Sequence, residues 1–400
     1  MIIEHFPMAL QAAIPILEKI NAAGFEAYFV GGCVRDTLLD HQIHDVDLAT
    51  SAYPQEVKML FPHTADTGIE HGTVTIITDE QNYEITTFRT ESGYQDYRRP
   101  QHVEFVRSLT EDLKRRDFTI NALAMRTDGQ VIDLFGGVQD LSQKKIKAVG
   151  QAAERFHEDA LRMVRAVRFQ AQLGFEIESQ TKMGIQLNAL LLKKIAVERI
   201  RDEWLKLMQG RAWQAGLTTM LQTKLYQYCP QLIAEDLNGL LKLPAVKLSS
   251  EKQVWTLVCW CLQFSEQRIK TVLKSWKTAN DVQKIVLASV NLLNQAEVTA
   301  WNLYQASPGV VTNCLAILNL LGKTTLANEL QQQYEQLPIK NVRELAVNGR
   351  DLMSELKMPA GPQLGQTLLW IQQQVVAQQL VNQKAVIINE LKNRYAQRGR

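Results

Sequence analysis

The chain has 400 residues, more than one hydrophobic core usually holds, so about two to four domains are expected. Its apolar and charged fractions, 46% and 22%, are those of an ordinary soluble globular protein, and no apolar run reaches membrane-spanning length. A formal charge of +2 is too small to argue for nucleic-acid binding by itself, so an RNA partner would have to be met by local basic patches.

Met1 to Ala23 has no cationic start followed by a long apolar core, and its spacing of Leu10, Ile14, Leu17 and Ile20 reads as an amphipathic helix rather than a signal peptide. The five cysteines, Cys33, Cys229, Cys259, Cys261 and Cys314, are scattered and odd in number, which implies no disulfide framework and fits a reducing cytoplasm. Cys259-Trp-Cys261 lacks a second Cys/His pair that would complete a zinc site and reads as core packing. The apolar run Ala27 to Val30 reads as a buried strand stopping at Gly31-Gly32. Arg35 follows on a segment, Val34 to Leu39, that reads as the first turns of a helix, so free backbone N–H groups and a guanidinium face one place, as a polyphosphate cradle needs. A second strand is expected to carry Asp45-Val46-Asp47-Leu48. Alternation would put both carboxylates on one face, where they can share or bridge hard cations such as Mg²⁺.

Each motif alone is ordinary, since most Gly-Gly pairs are turns and most Asp-x-Asp pairs are solvated strand edges. Together, Gly31-Gly32-x-x-Arg35-Asp36 followed by Asp45-x-Asp47 resembles the head of the polymerase-β-like nucleotidyltransferases, and within them the tRNA nucleotidyltransferase (CCA-adding) and bacterial poly(A) polymerase family. The two readable strands Thr73–Ile77 and Tyr83–Arg89 place Glu84 on one face with Thr86 and Phe88, as either a third carboxylate near the metal or an exposed strand-start residue. Arg89 to Pro100 is polar and short of apolar anchors and is expected to be a mobile loop. The resemblance equates it with the flexible loop that family members need for the final A. Arg115-Arg116-Asp117 with Asn121-Ala-Leu-Ala matches the family's second motif, which implies that Arg116 contacts the nucleotide, and Asp133-Leu-Phe-Gly-Gly matches its structural joint between head and neck.

Arg155 to Leu173, closed by Gly174, reads as one helix with an apolar stripe of Ala160, Met163, Val164, Val167 and Ala171. Asp159 and Arg162 stand three apart and can address one ligand, whereas Arg168 falls further round the wheel. A carboxylate accepting from an exocyclic amino group and a guanidinium donating to a ring nitrogen would accept cytosine and adenine and repel uracil and guanine. The resemblance gives Glu158-Asp159-Ala-Leu-Arg162 that role and makes Arg165 and Arg168 further nucleotide contacts. Ala196 to Lys206 resembles the last neck motif, with Glu198, Arg199 and Arg201 bracing the base-reading helix.

The remainder reads as almost wholly helical, broken at Pro230, Pro244, Pro308 and Pro338. Leu345 to Gly365 resembles the family's tail, which holds the tRNA elbow, and Lys392, Arg394, Arg398 and Arg400 make a basic end suited to phosphates. Gly322-Lys-Thr-Thr has Ile317 where a P-loop needs glycine, and all seven histidines lie at or before His157, so neither a P-loop nor a histidine metal site follows.

The expected fold is α+β: an N-terminal nucleotidyltransferase head with a mixed β-sheet and helices at 1–150, then an all-α neck at 151–210, body at 211–325 and tRNA-binding tail at 326–400. The resemblance, to the class II bacterial members, implies addition of C, C and A to tRNA. Asp45 and Asp47 would be catalytic and hold Mg²⁺, while Gly32, Arg35, Arg116, Asp159, Arg162, Arg165 and Arg168 would bind the nucleotide. The implied partners are tRNA, ATP and CTP, with no membrane and a homodimer left open. A poly(A) polymerase, an A-only or CC-only enzyme, and an inactive tRNA-binding protein on the same scaffold are the alternatives.

Overall fold

The computed structural model of the chain describes residues 1–79, 81–95, 97 and 99–398, so Glu80, Asp96, Arg98, Gly399 and Arg400 lie outside the described residues. It divides into two compact units, Met1–Leu241 and Lys242–Arg400. The boundary falls inside the segment expected as the body.

The first unit is built on a mixed seven-stranded sheet. In chain order its strands are β1 Ala27–Val30, β2 Leu48–Thr50, β3 Thr64–Gly68, β4 Thr73–Ile77 and β5 Asn82–Thr87. After a separate hairpin, β6 Arg89–Gln95 with β7 Arg99–Phe105, come β8 Leu123–Met125 and β9 Val131–Asp133. The order across the sheet is β3-β4-β5-β2-β1-β8-β9. Within this sheet β2 and β5 pair in parallel and the other neighbours are antiparallel; β1 is an inner strand, antiparallel to β2 through Phe29↔Leu48 and to β8 through Phe29↔Met125. All four residues of β1 are buried, as an apolar strand with neighbours on both edges and both faces covered must be. On one face Tyr28 and Val30 pack with Ala49, Phe88, Ala124 and with Leu109 and Leu113 of a short helix, Leu109–Lys114. On the other, the Phe29 ring stands 6.0 Å from Phe6. The amphipathic N-terminal segment forms helix Ile14–Ala22, with Leu17 and Ile20 at 0% exposure.

Three expectations change at this level. The strand expected over Asp45–Leu48 begins only at Leu48; Asp47 contributes just its carbonyl, which accepts from Val30 N–H at 3.0 Å. Both aspartates therefore sit on the approach to the strand, where the backbone of the lead-in segment, not strand alternation, sets their direction. The segment expected as a mobile loop is the hairpin β6–β7, in register from Arg89↔Phe105 to Gln95↔Arg99. Its strands are joined by backbone pairing, and ion pairs of Glu91 with Arg89 at 2.9 Å and with Arg115 at 3.1 Å lie within β6 and tie β6 to the segment before β8, whereas a strand is read in sequence from an alternating apolar face. The third change concerns the helix expected over Arg155–Leu173. It is two helices, α1 Ala152–Glu158 and α2 Leu161–Leu173, broken at Asp159, whose φ of −133° and ψ of 99° are extended. Asp159 Oδ1 accepts from Leu161 N–H at 3.0 Å and Ala160 N–H donates to the Tyr97 carbonyl at 2.9 Å, so the break satisfies the first amides of α2.

Ala160, Met163, Val164, Val167 and Ala171 are all buried, as the expected stripe requires. Helix α3, Val197–Met208, packs on α2 and buries Trp204 and Leu207. The second unit is helical, with a core that includes Leu303, Cys314, Leu352, Ile371 and Ile387. Pro308 opens the helix Pro308–Leu320, its missing N–H being one no helix would satisfy there. All five cysteines are free, and burial pushes the Cys33 thiol up to about 12. Among the described residues no helix is long and apolar enough to cross a membrane.

Phe118 links the sheet unit to α2: it is fully buried and stands edge-on to Phe169, ring centres 5.8 Å apart. Phe118→Ala is expected to cost about 3–5 kcal/mol, read as a lowered midpoint of chemical unfolding.

Candidate active site

One cavity of about 600 Å³ gathers most of the residues that the sequence singles out. Gly31, Gly32 and Arg35 enter from the end of β1, Asp45 and Asp47 from the lead-in to β2, and Arg115, Arg116, Asp117 and Asn121 from the segment before β8. Asp159, Arg162, Arg165 and Arg168 line it from the α1–α2 break and along α2. Seven arginines and five carboxylates wall the cavity, so its net charge favours a polyanion.

At the glycine end, the residue whose conformation demands glycine is Gly31 rather than Gly32. Gly31 has φ +72°, and a Cβ there would lie 2.7 Å from Arg116 Nη1. Gly32 opens the short helix Gly32–Leu38, on which Arg35 is held from both sides. Its Nε and Nη2 donate to Asp36 at 2.9 and 2.8 Å, and its Nη1 donates to Asn121 Oδ1 at 2.7 Å.

Burial pushes the Asp47 carboxyl above the usual range, and the charges of Asp45 and Glu84 add to this, with Arg116 and Arg35 opposing it. A site that penalises its own negative charge in this way is one that a cation relieves. Glu84 faces a second, smaller cavity of about 240 Å³ which it shares with Asp47, Thr73 and Thr86. Among the described residues no three His, Cys, Asp or Glu side chains stand close enough to hold a metal ion together. Asp45 and Asp47 alone fit Mg²⁺ of the kind that takes one or two carboxylates and completes its shell with substrate phosphates and water.

The arginines are fixed by carboxylates beneath them. Asp112, 1% exposed, accepts from Arg115 Nη2 at 2.7 Å and from Arg116 Nη2 at 3.2 Å. Burial would raise the Asp112 pKa, but the two guanidinium charges lower it below the usual range. Arg162 is buried, donates from Nη2 to the Arg115 carbonyl at 2.8 Å and lies 3.5 Å from Glu158. Asp117 accepts from Arg165 Nε at 2.9 Å and Nη2 at 2.5 Å. Against the cost of complete burial, the Arg165 charge and the hydrogen bonds from Asn121 and Arg165 pull the Asp117 carboxyl far below the usual range. Arg168 stacks over Phe169, 3.9 Å from the ring centre, and pairs with Glu203 Oε2 at 2.9 Å. Burial depresses the Arg168 pKa to about 10 despite Glu203.

Arg168, which the helical wheel set apart, thus joins Arg165 on the wall, because on α2 residues three apart are neighbours. Three residues of the site went unassigned in the sequence reading. Asp117 and Asn121 are expected only as members of a motif, and Glu203 has no expected role, although it lies in the neck segment Ala196 to Lys206 and supplies the brace to Arg165 and Arg168. Their signal is burial of polar side chains, 8%, 7% and 6% exposed, which no single sequence displays.

Comparison with known proteins gives concordant results. The model of the "Poly A polymerase head domain" matches residues 27–147, that of the "Probable RNA and SrmB- binding site of polymerase A" residues 174–235, and that of "tRNA nucleotidyltransferase domain 2" residues 246–391. The CCA-adding enzyme of Lactiplantibacillus plantarum is 51% identical over 396 residues, covering 97% of each chain. That of Limosilactobacillus reuteri is 50% identical over 394 residues, 97% of this chain and 98% of its own. The crystal structure of the Bacillus stearothermophilus CCA-adding enzyme in complex with CTP superposes with a TM-score of 0.88 at 37% identity, covering 98% of this chain and 99% of that one. A Thermotoga maritima CCA-adding enzyme complexed with tRNA, 20% identical with a TM-score of 0.64, shares the fold.

A carboxyl whose pKa is lower in the folded than in the unfolded chain stabilises the fold above its unfolded value, about 3.9 for aspartate, and loses that contribution as the pH falls below it. Asp117 is such a group. Asp117→Asn is therefore expected to lower stability by about 3 kcal/mol at pH 7, since it strips a buried ion pair of one partner. The difference from the unaltered chain should narrow below about pH 4, as thermal unfolding measured at pH 7 and pH 3 would show.

Proposed function

The chain belongs to the family of CCA-adding enzymes, and on that footing we propose that the arginine-walled cavity is where it joins C, C and A to the 3′ end of tRNA. It is a tRNA nucleotidyltransferase, of a family whose chemistry is generally metal-dependent. The observation that supports the placement of the reaction is that one cavity is bounded by Asp45 and Asp47 at one side and by Asp159 and Arg162 at another.

The tRNA 3′-hydroxyl attacks the α-phosphate of CTP or ATP in line, and pyrophosphate leaves. Asp45 and Asp47 would hold Mg²⁺, which would supply a lowered hydroxyl pKa and neutralisation of charge on the leaving phosphates. Arg35, with the amides following Gly32, positions the triphosphate, and Arg116, Arg165 and Arg168 bind the groups adjoining it. Asp159 accepts from the exocyclic amino group of cytosine or adenine while Arg162 donates to the ring nitrogen; uracil and guanine present the opposite pattern and are refused. Because Arg162 is anchored to the Arg115 carbonyl, the protein offers its base-reading edge already in place. The division into head, neck, body and tail is retained, with the tail on the tRNA. In support of the first boundary, the head model ends at residue 147. Substrates of this kind, tRNA with ATP and CTP, fit a cytoplasmic enzyme.

Purified protein incubated with Mg²⁺ and tRNA lacking its 3′ end should add C, C and A in order when CTP and ATP are supplied, as sequencing of the products would read. Runs of A alone, or a stop after CC, would instead favour a poly(A) polymerase or a CC-only enzyme. Asp45→Ala should lower incorporation of every nucleotide by roughly a thousandfold or more, and a near-normal rate would remove Asp45 from the metal site. Exchanging Asp159 and Arg162 for residues of the complementary hydrogen-bonding pattern should admit UTP or GTP; selectivity that stayed the same would reject their base-reading role.

A further inference from the structure

Arg35 and Arg165 come to the cavity from helices on either side of the sheet unit's sequence, yet one buried side chain connects them. Asn121 closes a single 3-10 turn, Thr119–Asn121, and is 7% exposed. Its Oδ1 accepts from Arg35 Nη1 at 2.7 Å across 86 residues of chain, and its Nδ2 donates to Asp117 Oδ1 at 3.1 Å. The other oxygen of Asp117 accepts twice from Arg165, across 48 residues. The result is an unbroken line, Arg35–Asn121–Asp117–Arg165. We propose that Asn121 is a positioning residue that couples the triphosphate-binding Arg35 to Arg165 on the base-reading helix, so that the two ends of one nucleotide meet a fixed spacing.

The chemistry of the line leaves little choice at its centre. A guanidinium only donates, and a carboxylate held ionised only accepts, so the group between them must accept on one side and donate on the other. A primary amide on a short side chain does both, and its two neighbours dictate which way round it lies. A carboxylate at this position would serve Arg35 but oppose Asp117; an aliphatic chain would leave both without a partner in a buried place, where that is costly. Asn121 needs no contact with the substrate to act. The inference rests on the nucleotide-binding roles given above to Arg35 and Arg165.

The test uses the full-length protein. N121L, N121D, R35A, R116A and the double variants are compared by equilibrium binding of CTP and of ATP without tRNA, by steady-state KM for nucleotide and for tRNA, and by thermal unfolding. N121L and N121D are expected to weaken CTP and ATP alike by about tenfold, the scale of one lost hydrogen bond in a buried network, with the KM for tRNA changing less than about twofold. In the R35A background, N121L should cost less than about threefold, since the partner through which it acts is already gone. Arg116 meets only the backbone carbonyl of Asn121, at 3.4 Å, so R116A and N121L should combine additively and serve as the control. Additive losses with R35A, or nucleotide and tRNA constants rising together in step with lost stability, would overturn the proposal and leave Asn121 a structural residue. N121S, which breaks the line without adding charge, carries the same cycle if N121L does not fold. Should the unaltered protein bind CTP and ATP but fail to extend tRNA, the functional reading fails, and the coupling is still decided by the binding cycle.

Discussion

Guanidinium groups crowded into one cavity repel one another and lose water, so each has to be met by a carboxylate or a carbonyl placed beneath it. Asp112 meets Arg115 and Arg116, Asp117 meets Arg165, Glu203 meets Arg168 and Asp36 meets Arg35. Ion pairs at this depth add little to net stability, because desolvation consumes most of the attraction. What they fix is direction. Arginine side chains that would otherwise lose several rotamers on meeting a nucleotide are already ordered, and a preorganised cationic wall is what transfer from a triphosphate needs.

That constraint explains why the polar residues under the cavity are as buried as core leucines and why they come from so many elements. The segment before β8 supplies Asp112, Asp117 and Asn121 with Arg115 and Arg116, while α2 supplies Arg162, Arg165 and Arg168 and α3 supplies Glu203. The break at Asp159 belongs to the same design. By leaving the helix for two residues, Asp159 and Ala160, the chain turns a carboxylate into a cap for α2 and lends the Ala160 amide to the Tyr97 carbonyl of the hairpin segment, where the Tyr97 ring also stands edge-on to His157 at 4.9 Å. The hairpin segment and the start of α2 are thereby in direct contact at the residue next to Asp159.

Much of this was legible beforehand where pattern and chemistry coincide. The apolar stripe of α2, the strand ending at Gly31, the helix of Arg35 and the helical second unit follow from periodicity and turn residues, and the structure has them. The hairpin did not show, because polar residues such as Arg89, Glu91, Ser92 and His102 pair through the backbone rather than through an alternating apolar face. The kink did not show either: Asp159 fits a helix wheel as well as it fits a cap, and what decides is a carbonyl more than sixty positions earlier in the chain.

The amino-acid sequence by itself determined the elements and the chemical cast, since short-range periodicity, glycine turns and the spacing of Asp45, Asp47, Asp159 and Arg162 are properties of neighbours along the chain. Only the tertiary structure decided which carboxylate holds which arginine, that Gly31 rather than Gly32 is the glycine the backbone requires, and that Asn121 stands between Arg35 and Asp117. Those are matters of buried hydrogen bonds between residues far apart in sequence, and a buried donor takes whatever acceptor the fold brings to it.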